Sequence, residues 1–155
     1  MSAGRVEAIF IAPQGGAPMR PMAAVRAVAG EGLEDDRYRV AKGYWSRSKW
    51  DVCEITLIRA EDLEIIERET GVLVTNGEHR RNIVTRGVDL GGLIGRRFTV
   101  GDAELEYARP RPPCRYIATL TEPGMTVALK GRSGICARIR GSGMIREGDR
   151  ILTSP

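Results

Sequence analysis

The chain has 155 residues, of which 42% are hydrophobic and 28% charged, as expected of a globular protein large enough to bury a core. This composition excludes a disordered or fibrous protein, and no apolar run approaches the roughly 18 residues of a membrane span. The net charge of +4 is modest, but arginine and lysine dominate after residue 106, which favours an anionic partner. Because the N-terminal residues lack the layout of a signal peptide, we expect a single cytoplasmic domain over residues 1–155.

Short strand patterns separated by glycine-rich turns dominate the chain from its beginning. Strands are predicted over residues 6–12, 22–29, 54–58, 72–74, 82–85, 97–100, 103–108, 134–140 and 150–153. The pair Gly101-Asp102 predicts a hairpin between two of them. Apolar residues at helical spacing predict one helix from Ala60 to a stop at Gly71, and a shorter helix is predicted over residues 125–129. The fold class is therefore mainly β, a barrel or sandwich with a few short helices.

Cys114 is the residue whose surroundings point most directly to chemistry. It lies in the sequence Arg109-Pro-Arg-Pro-Pro-Cys-Arg-Tyr116, whose three prolines exclude a helix and a central strand. Arg109, Arg111 and Arg115 stabilise a nearby negative charge, so the thiolate should form more readily than in a free cysteine. A thiolate serves sulfur transfer, nucleophilic attack or ligation of a soft metal. The alternative is an inert loop cysteine, and the electropositive setting favours function.

The other two cysteines lack such a setting. We expect Cys53 to be a small core residue on the strand face of Ile55 and Leu57, Cys136 to be exposed, and the thiols to be reduced. Because the chain has no CxxC motif and a single histidine, His79, neither a zinc site nor a Cys-His-Asn triad is expected.

Two further segments contain residues suited to binding. Arg81 and Asn82 stand at the entrance of a predicted strand, where they could bind a phosphate or a carbonyl-rich ring, or simply form a solvated turn. Between Tyr44 and Trp50 aromatic residues alternate with basic ones, a pattern that could stack on single-stranded nucleic acid. The same segment could instead cover a small-molecule pocket or pin a loop. Aromatic residues make up only 5% of the chain, so nucleic acid is the weaker interpretation.

Five segments in order resemble the MOSC domain, the module found at the C-terminus of molybdenum-cofactor sulfurases and in stand-alone bacterial proteins. They are Gly-Leu-Glu-Asp-Asp-Arg-Tyr at 32–38, Arg-Asn-Ile-Val-Thr-Arg-Gly-Val-Asp-Leu at 81–90, Leu-Ile-Gly-Arg-Arg-Phe-Thr-Val-Gly at 93–101, Arg-Pro-Arg-Pro-Pro-Cys at 109–114 and Gly-Met-Ile-Arg-Glu-Gly-Asp at 143–149. The resemblance thus covers nearly the whole chain. One departure is Asp35, which stands where relatives usually have glycine, and its carboxylate could weaken binding of an anion.

The resemblance implies a β-barrel with a few short helices. It also implies a catalytic cysteine, matching Cys114, that ligates molybdenum or carries sulfur. Rim residues matching Arg81, Asn82 and Arg37 would hold the phosphate and pterin of the molybdenum cofactor. Relatives are linked to sulfuration of that cofactor, or to reduction of N-hydroxylated compounds with the help of electron-transfer proteins.

Three functional hypotheses remain open at this point. The chain is a component of a molybdenum-cofactor enzyme, with Cys114 as the ligand and the neighbouring arginines Arg109, Arg111 and Arg115 neutralising the cofactor phosphate. Alternatively, Cys114 takes a persulfide from a cysteine desulfurase and no metal stays bound. The third hypothesis is a basic nucleic-acid-binding module. Pyridoxal phosphate is not expected, because no segment resembles a Schiff-base lysine site.

Overall fold

The computed structural model of the chain describes residues 4–13, 16–36, 53–111 and 124–153. The strands in these ranges are β1 Gly4–Ile11, β2 Arg20–Met22, β3 Ala24–Val28, β4 Gly32–Leu33, β5 Ile55–Arg59, β6 Ile83–Arg86, β7 Arg97–Val100, β8 Ala103–Pro110, β9 Ile135–Gly141, β10 Gly143–Arg146 and β11 Arg150–Thr153. The helices are α1 Ala60–Thr70 and α2 Met125–Leu129, with a 3-10 turn at Leu90–Leu93. None of the helices in this part of the chain is long and apolar enough to cross a membrane.

Seven of the strands close into a barrel. Hydrogen-bonded neighbours follow the order β11-β7-β8-β9-β5-β6-β1, and β1 pairs with β11 to complete the ring. The β5–β6 pair is parallel, with Leu57 opposite Ile83, because α1 carries the chain back across the barrel between the two strands. β2 extends the barrel sheet at β1, and β10, β3 and β4 form a separate three-stranded sheet. The predicted mainly β fold with few helices is confirmed.

The barrel encloses an apolar core supplied by alternating strand positions. In β8, Ala103 and Leu105 are fully buried, whereas Glu104 and Glu106 between and after them are partly exposed, as the alternation in the sequence predicts. The hairpin predicted at Gly101-Asp102 is confirmed by the pairing of β7 with β8. The core includes Val6, Ile9, Ile11, Val25, Leu33, Ile55, Leu57, Ile83, Phe98, Val100, Leu105, Ile135, Ala137, Ile139, Ile145 and Ile151.

A second core lies between the helices and the outer face of the barrel. The three apolar residues that predict α1, Ala60, Leu63 and Ile66, are buried there. The helix ends where the sequence places its end, because Gly71 takes a left-handed conformation with φ of 74° and its N–H donates to the Glu67 carbonyl oxygen. The cluster comprises Phe10, Ile58, Ala60, Leu63, Ile66, Val74, Val84, Met125 and Leu129. The short helix predicted over 125–129 is also confirmed.

Three strand predictions differ from the structure. The strand predicted over 22–29 is two strands, β2 and β3, which belong to different sheets. The strand predicted over 72–74 does not form, because the backbone N–H groups of Val74 and Thr75 donate to the Glu67 carboxylate of α1 at 3.0 and 3.3 Å. β10, which the sequence did not predict, pairs with β3 through a contact made only in the folded chain.

Candidate functional site

The side chain of Arg81 connects three parts of the chain. It is 5% exposed, and its Nε donates to the Ser133 carbonyl oxygen at 2.8 Å. Its Nη2 donates to the Ser133 hydroxyl at 2.5 Å and to the Arg111 carbonyl oxygen at 3.5 Å. The Arg111 N–H in turn donates to the Gly134 carbonyl oxygen at 2.9 Å. One guanidinium group therefore fixes the residues before β6 against the end of β8 and the beginning of β9.

A tight turn before β6 sets the direction of Arg81. The Arg80 N–H donates to the Gly77 carbonyl oxygen, and Arg80 has a positive φ of 61°. His79 is fully buried and packs edge-on against Phe10, with ring centroids 5.2 Å apart. Its Nδ1 accepts a hydrogen bond from the Arg81 N–H at 2.9 Å, which makes Nδ1 the unprotonated nitrogen of the ring. The histidine thus helps to shape the turn that presents the arginine.

Gly134 allows the beginning of β9 to reach Arg81. Its φ is +85°, and a Cβ atom placed on it would collide with the Leu57 carbonyl oxygen of β5. Only glycine fits where the two backbones approach so closely. The preceding residue, Ser133, is brought to the guanidinium by this approach and is 5% exposed. Sequence reasoning missed Ser133, because nothing in the local sequence distinguishes it from an ordinary turn serine.

Asn82 links three strands of the barrel. It is fully buried, and its Oδ1 accepts hydrogen bonds from the N–H and the hydroxyl of Thr56 at 3.0 and 3.1 Å. Its Nδ2 donates to the Phe10 carbonyl oxygen at 3.1 Å, and its own N–H donates to the Thr56 hydroxyl at 2.8 Å. These bonds join the residue before β6 to β1 and β5. A cofactor-binding role for Asn82 stays a prediction, but its described side-chain bonds are structural.

The end of β8 supplies two more of the predicted arginines. Arg109 is opposite Cys136 in β9, is partly exposed, and its Nη1 donates to the Pro110 carbonyl oxygen at 2.9 Å. Arg111 is 6% exposed and directly precedes residues 112–123. We call Arg81, Arg109 and Arg111 the arginine cluster. The other predicted site residues, Cys114, Arg115 and Arg37, lie outside the described residues, as does the segment between Tyr44 and Trp50.

Cys53 and Cys136 differ from their predicted states. They are joined in a disulfide with a Cα–Cα distance of 5.2 Å, so the expectation of reduced thiols is wrong for this pair. Cys136 does alternate with the inward-facing Ile135 and Ala137, but it is 0% exposed, because Cys53 covers it on the outer face. Cys53 is partly exposed and lies before β5, so the alternation of that strand does not extend to it.

The segment Gly32–Leu33 leads into two adjacent aspartates with different environments. Asp36 is fully buried and accepts a hydrogen bond from the Ala12 N–H at 3.0 Å. Asp35 is exposed and has a φ of 65°, the left-handed conformation that glycine adopts without strain. A glycine at this position would relieve the backbone of that strain. The possible effect of the Asp35 carboxylate on a bound anion stays a prediction.

Many basic residues of the last third are already paired with acids. The predicted solvent-facing Arg140 binds Glu106 at 2.8 Å on the outer face of the barrel. Its hydrogen bonds lower the pKa of the Glu106 carboxyl below the usual value, and the same bonds raise the pKa of Arg140. Among the described residues, no group of three or more His, Cys, Asp or Glu side chains could hold a metal ion. The basic pairs are Arg132–Glu69, Arg140–Glu106 and Arg146–Asp102.

A closed barrel with buried arginines at the ends of its strands is the architecture of a small binding or catalytic β-domain. The MOSC domain model matches residues 49–152, and the chain belongs to this family, as the sequence predicts. A comparison with curated proteins gives no significant match.

Solved structures share the fold at low sequence identity. The chain is similar to YiiM from Geobacillus stearothermophilus, with a TM-score of 0.75 and 20% identity over 98% of this chain and 75% of that one. It is also similar to the YUAD protein from Bacillus subtilis, with a TM-score of 0.75 and 18% identity over 99% and 97% of the two chains. YiiM from Escherichia coli gives a TM-score of 0.68 and 16% identity over 97% and 70%. At these identities the likeness establishes the fold.

Proposed function

We propose that this chain binds a molybdenum-cofactor-type ligand through the arginine cluster and uses Cys114 as the thiolate that acts on it. The ligand is anionic through its phosphate, and the protein would take part in sulfuration of the cofactor or in reduction of N-hydroxylated compounds. An electron-transfer protein or a cysteine desulfurase would be its partner. Membership of the MOSC family supports the cofactor class.

The observation that carries the proposal is the placement of the arginine cluster. Arg111 directly precedes the segment that contains Cys114, and Arg81 binds the Arg111 carbonyl oxygen from another part of the chain. Folding therefore brings the predicted phosphate-binding arginine of one motif to the start of the motif with the cysteine. Their combined positive charge favours both an anionic ligand and a thiolate nearby.

The donors present fit the organic part of such a ligand better than a bare metal ion. Guanidinium groups bind phosphate and ring carbonyl oxygens, and the partly exposed Arg109 is the member of the cluster most open to a ligand. The buried Arg81 is held by neutral acceptors on Ser133 and Arg111, so we assign it a positioning role. The cofactor, when bound, would supply the redox and sulfur chemistry of molybdenum. Cys114 would supply the protein's sulfur ligand.

The metal-free persulfide carrier is the second candidate. It needs the same lowered thiol pKa and the same electropositive setting, so the arginine cluster supports it equally. The nucleic-acid hypothesis is weaker. Arg132, Arg140 and Arg146, which gave the last third its basic character, are each in an ion pair with an acidic side chain. Paired charges on a surface add little to phosphate binding.

The first experiment measures molybdenum and pterin in protein purified gently from a cofactor-producing host. Wild type is compared with Cys114→Ala and with Arg109→Gln, and Arg140→Gln serves as the matched control for loss of an arginine elsewhere on the barrel. We expect wild type and Arg140→Gln to carry metal and pterin, and Cys114→Ala to lose metal. Arg109→Gln should bind pterin about tenfold more weakly, the loss of one charge-assisted hydrogen bond.

The opposite results separate the candidates. If no variant carries metal or pterin, and a persulfide mass shift appears on Cys114 after incubation with a cysteine desulfurase, the carrier hypothesis replaces the cofactor hypothesis. Metal content that is unchanged in Cys114→Ala contradicts the assigned role of the thiolate. Equal pterin content in Arg109→Gln and wild type contradicts the role of the cluster.

A further inference from the structure

The disulfide lies beside the arginine cluster. Cys136 is the second residue of β9, opposite Thr56 of β5 on one side and Arg109 of β8 on the other. Two residues before Cys136 is Gly134, whose carbonyl oxygen accepts the Arg111 N–H. The bond to Cys53 thus attaches a further point of the chain to the strand pair that holds the arginines.

The two sulfur atoms differ in access. Cys136 is fully buried, whereas Cys53 is partly exposed and lies outside the regular strands. Thiol–disulfide exchange requires an attacking thiolate to reach one sulfur atom of the bond, and the Cys53 sulfur is the reachable one. The Cα–Cα distance of 5.2 Å is in the range of ordinary disulfides, so closing the bond requires no movement of the backbone.

The barrel keeps its connections at this point without the disulfide. The Glu54 N–H donates to the Ala137 carbonyl oxygen at 3.2 Å, and the Ile139 N–H donates to the Glu54 carboxylate at 2.7 Å. The Cys53 sulfur also lies 3.8 Å from the Ile55 carbonyl oxygen, which can accept a hydrogen bond from the thiol of the reduced form. The structure therefore accommodates both redox states, and reduction does not require the barrel to unfold.

We propose that Cys53 and Cys136 form a reversible redox pair that regulates the arginine cluster. Oxidation by a small disulfide such as oxidised glutathione joins the two sulfur atoms, transfers two electrons and two protons to the oxidant, and releases two glutathione thiols. The oxidised pair holds the beginning of β9 and, through it, Arg109 and Arg111. Reduction loosens this region and weakens the binding of an anion. The effect on anion binding rests on the proposed function, whereas the redox pair itself does not.

The first test follows the pair itself. Cys114→Ser protein, in which only the pair remains, is equilibrated in glutathione buffers of graded ratio, and alkylated thiols are counted by mass spectrometry. We expect the folded protein to interconvert between no thiols and two thiols within this series. A pair that is reduced only after the protein is unfolded is a structural disulfide, and that result overturns the proposal.

The second test measures hydrogen exchange of single amides in both redox states. Reduction should raise exchange at least tenfold at Glu54 and at least threefold at Arg111, because local opening no longer strains a covalent bond. The Gly101 amide, bonded to the Arg150 carbonyl oxygen elsewhere in the barrel, is the control and should not change. The variant Cys53→Ser should match the reduced form in every buffer. Unchanged exchange at Arg111 overturns the regulatory role.

A third measurement keeps the two proposals apart. Binding of inorganic pyrophosphate is measured by calorimetry on oxidised and reduced wild type, and the reduced form should bind at least threefold more weakly. Equal affinities in the two states overturn the regulation of the cluster. If pyrophosphate binds in neither state, the proposed function is contradicted, and the thiol count and the exchange rates alone decide the redox proposal.

Discussion

The hydrogen bonds of Asn82 predict a large loss of stability in Asn82→Ala. The substitution removes the acceptor of the Thr56 N–H and hydroxyl and the donor to the Phe10 carbonyl oxygen, at a position that is 0% exposed. A buried backbone group that loses its partner costs about 1–3 kcal/mol, so the two backbone groups together predict a loss of about 2–6 kcal/mol. That is a large fraction of the stability of an ordinary domain.

Urea denaturation tests this value. With a slope of about 2 kcal/mol per molar urea, the midpoint of Asn82→Ala should fall by about 1–3 M relative to wild type. Asn76→Ala is the matched control, because Asn76 is exposed and its described bond is made by its backbone N–H to Glu78. It should shift the free energy of unfolding by no more than about 0.5 kcal/mol.

The outcome decides what Asn82 does. A loss below about 1 kcal/mol with an unchanged slope would refute the reasoning, since the three hydrogen bonds would then contribute little. The side chain would in that case be free to turn toward a ligand. A loss of the expected size, with pterin binding preserved in the folded fraction, assigns Asn82 to the structure of the barrel.

Three other substitutions test the backbone and the electrostatics. Asp35→Gly should raise stability by about 0.5–1 kcal/mol and Asp35→Val should lower it by about 1–2 kcal/mol, because the position has a positive φ; thermal unfolding measures both. Gly134→Ala should cost at least about 2 kcal/mol, since its Cβ meets backbone, whereas Gly131→Ala, with a similar φ and open space, should cost only about 1 kcal/mol; equal losses would contradict the close approach. Hydrogen bonds from Arg86 lower the pKa of Glu7 from its usual 4.5. The carboxylate therefore stabilises the fold at neutral pH and loses this effect as the pH falls through its lowered pKa. Glu7→Gln should cost about 1 kcal/mol at pH 7 and almost nothing at pH 2, and a pH-independent difference in urea midpoints would argue against the ion pair.

Much of the fold could be predicted from local sequence. Alternation in β8 and helical spacing in α1 each depend on neighbours within a few residues, so periodicity alone located them. The prediction at 72–74 failed for a physical reason, since Glu67 provides acceptors that the local pattern does not reveal. β10 was missed because its partner, β3, is more than a hundred residues away in sequence.

The sequence by itself determined the family, the fold class and the identity of the candidate site residues, because motif order and strand periodicity are properties of the chain. Only the tertiary structure decided what those residues contact. Arg81 and Asn82 are neighbours in sequence, yet one binds Ser133 and Arg111 while the other ties β6 to β1 and β5. Cys53 and Cys136 are 83 residues apart, and no spacing rule pairs them. Contacts between distant parts of a chain depend on how the barrel closes, and the closure is set by all the strands together.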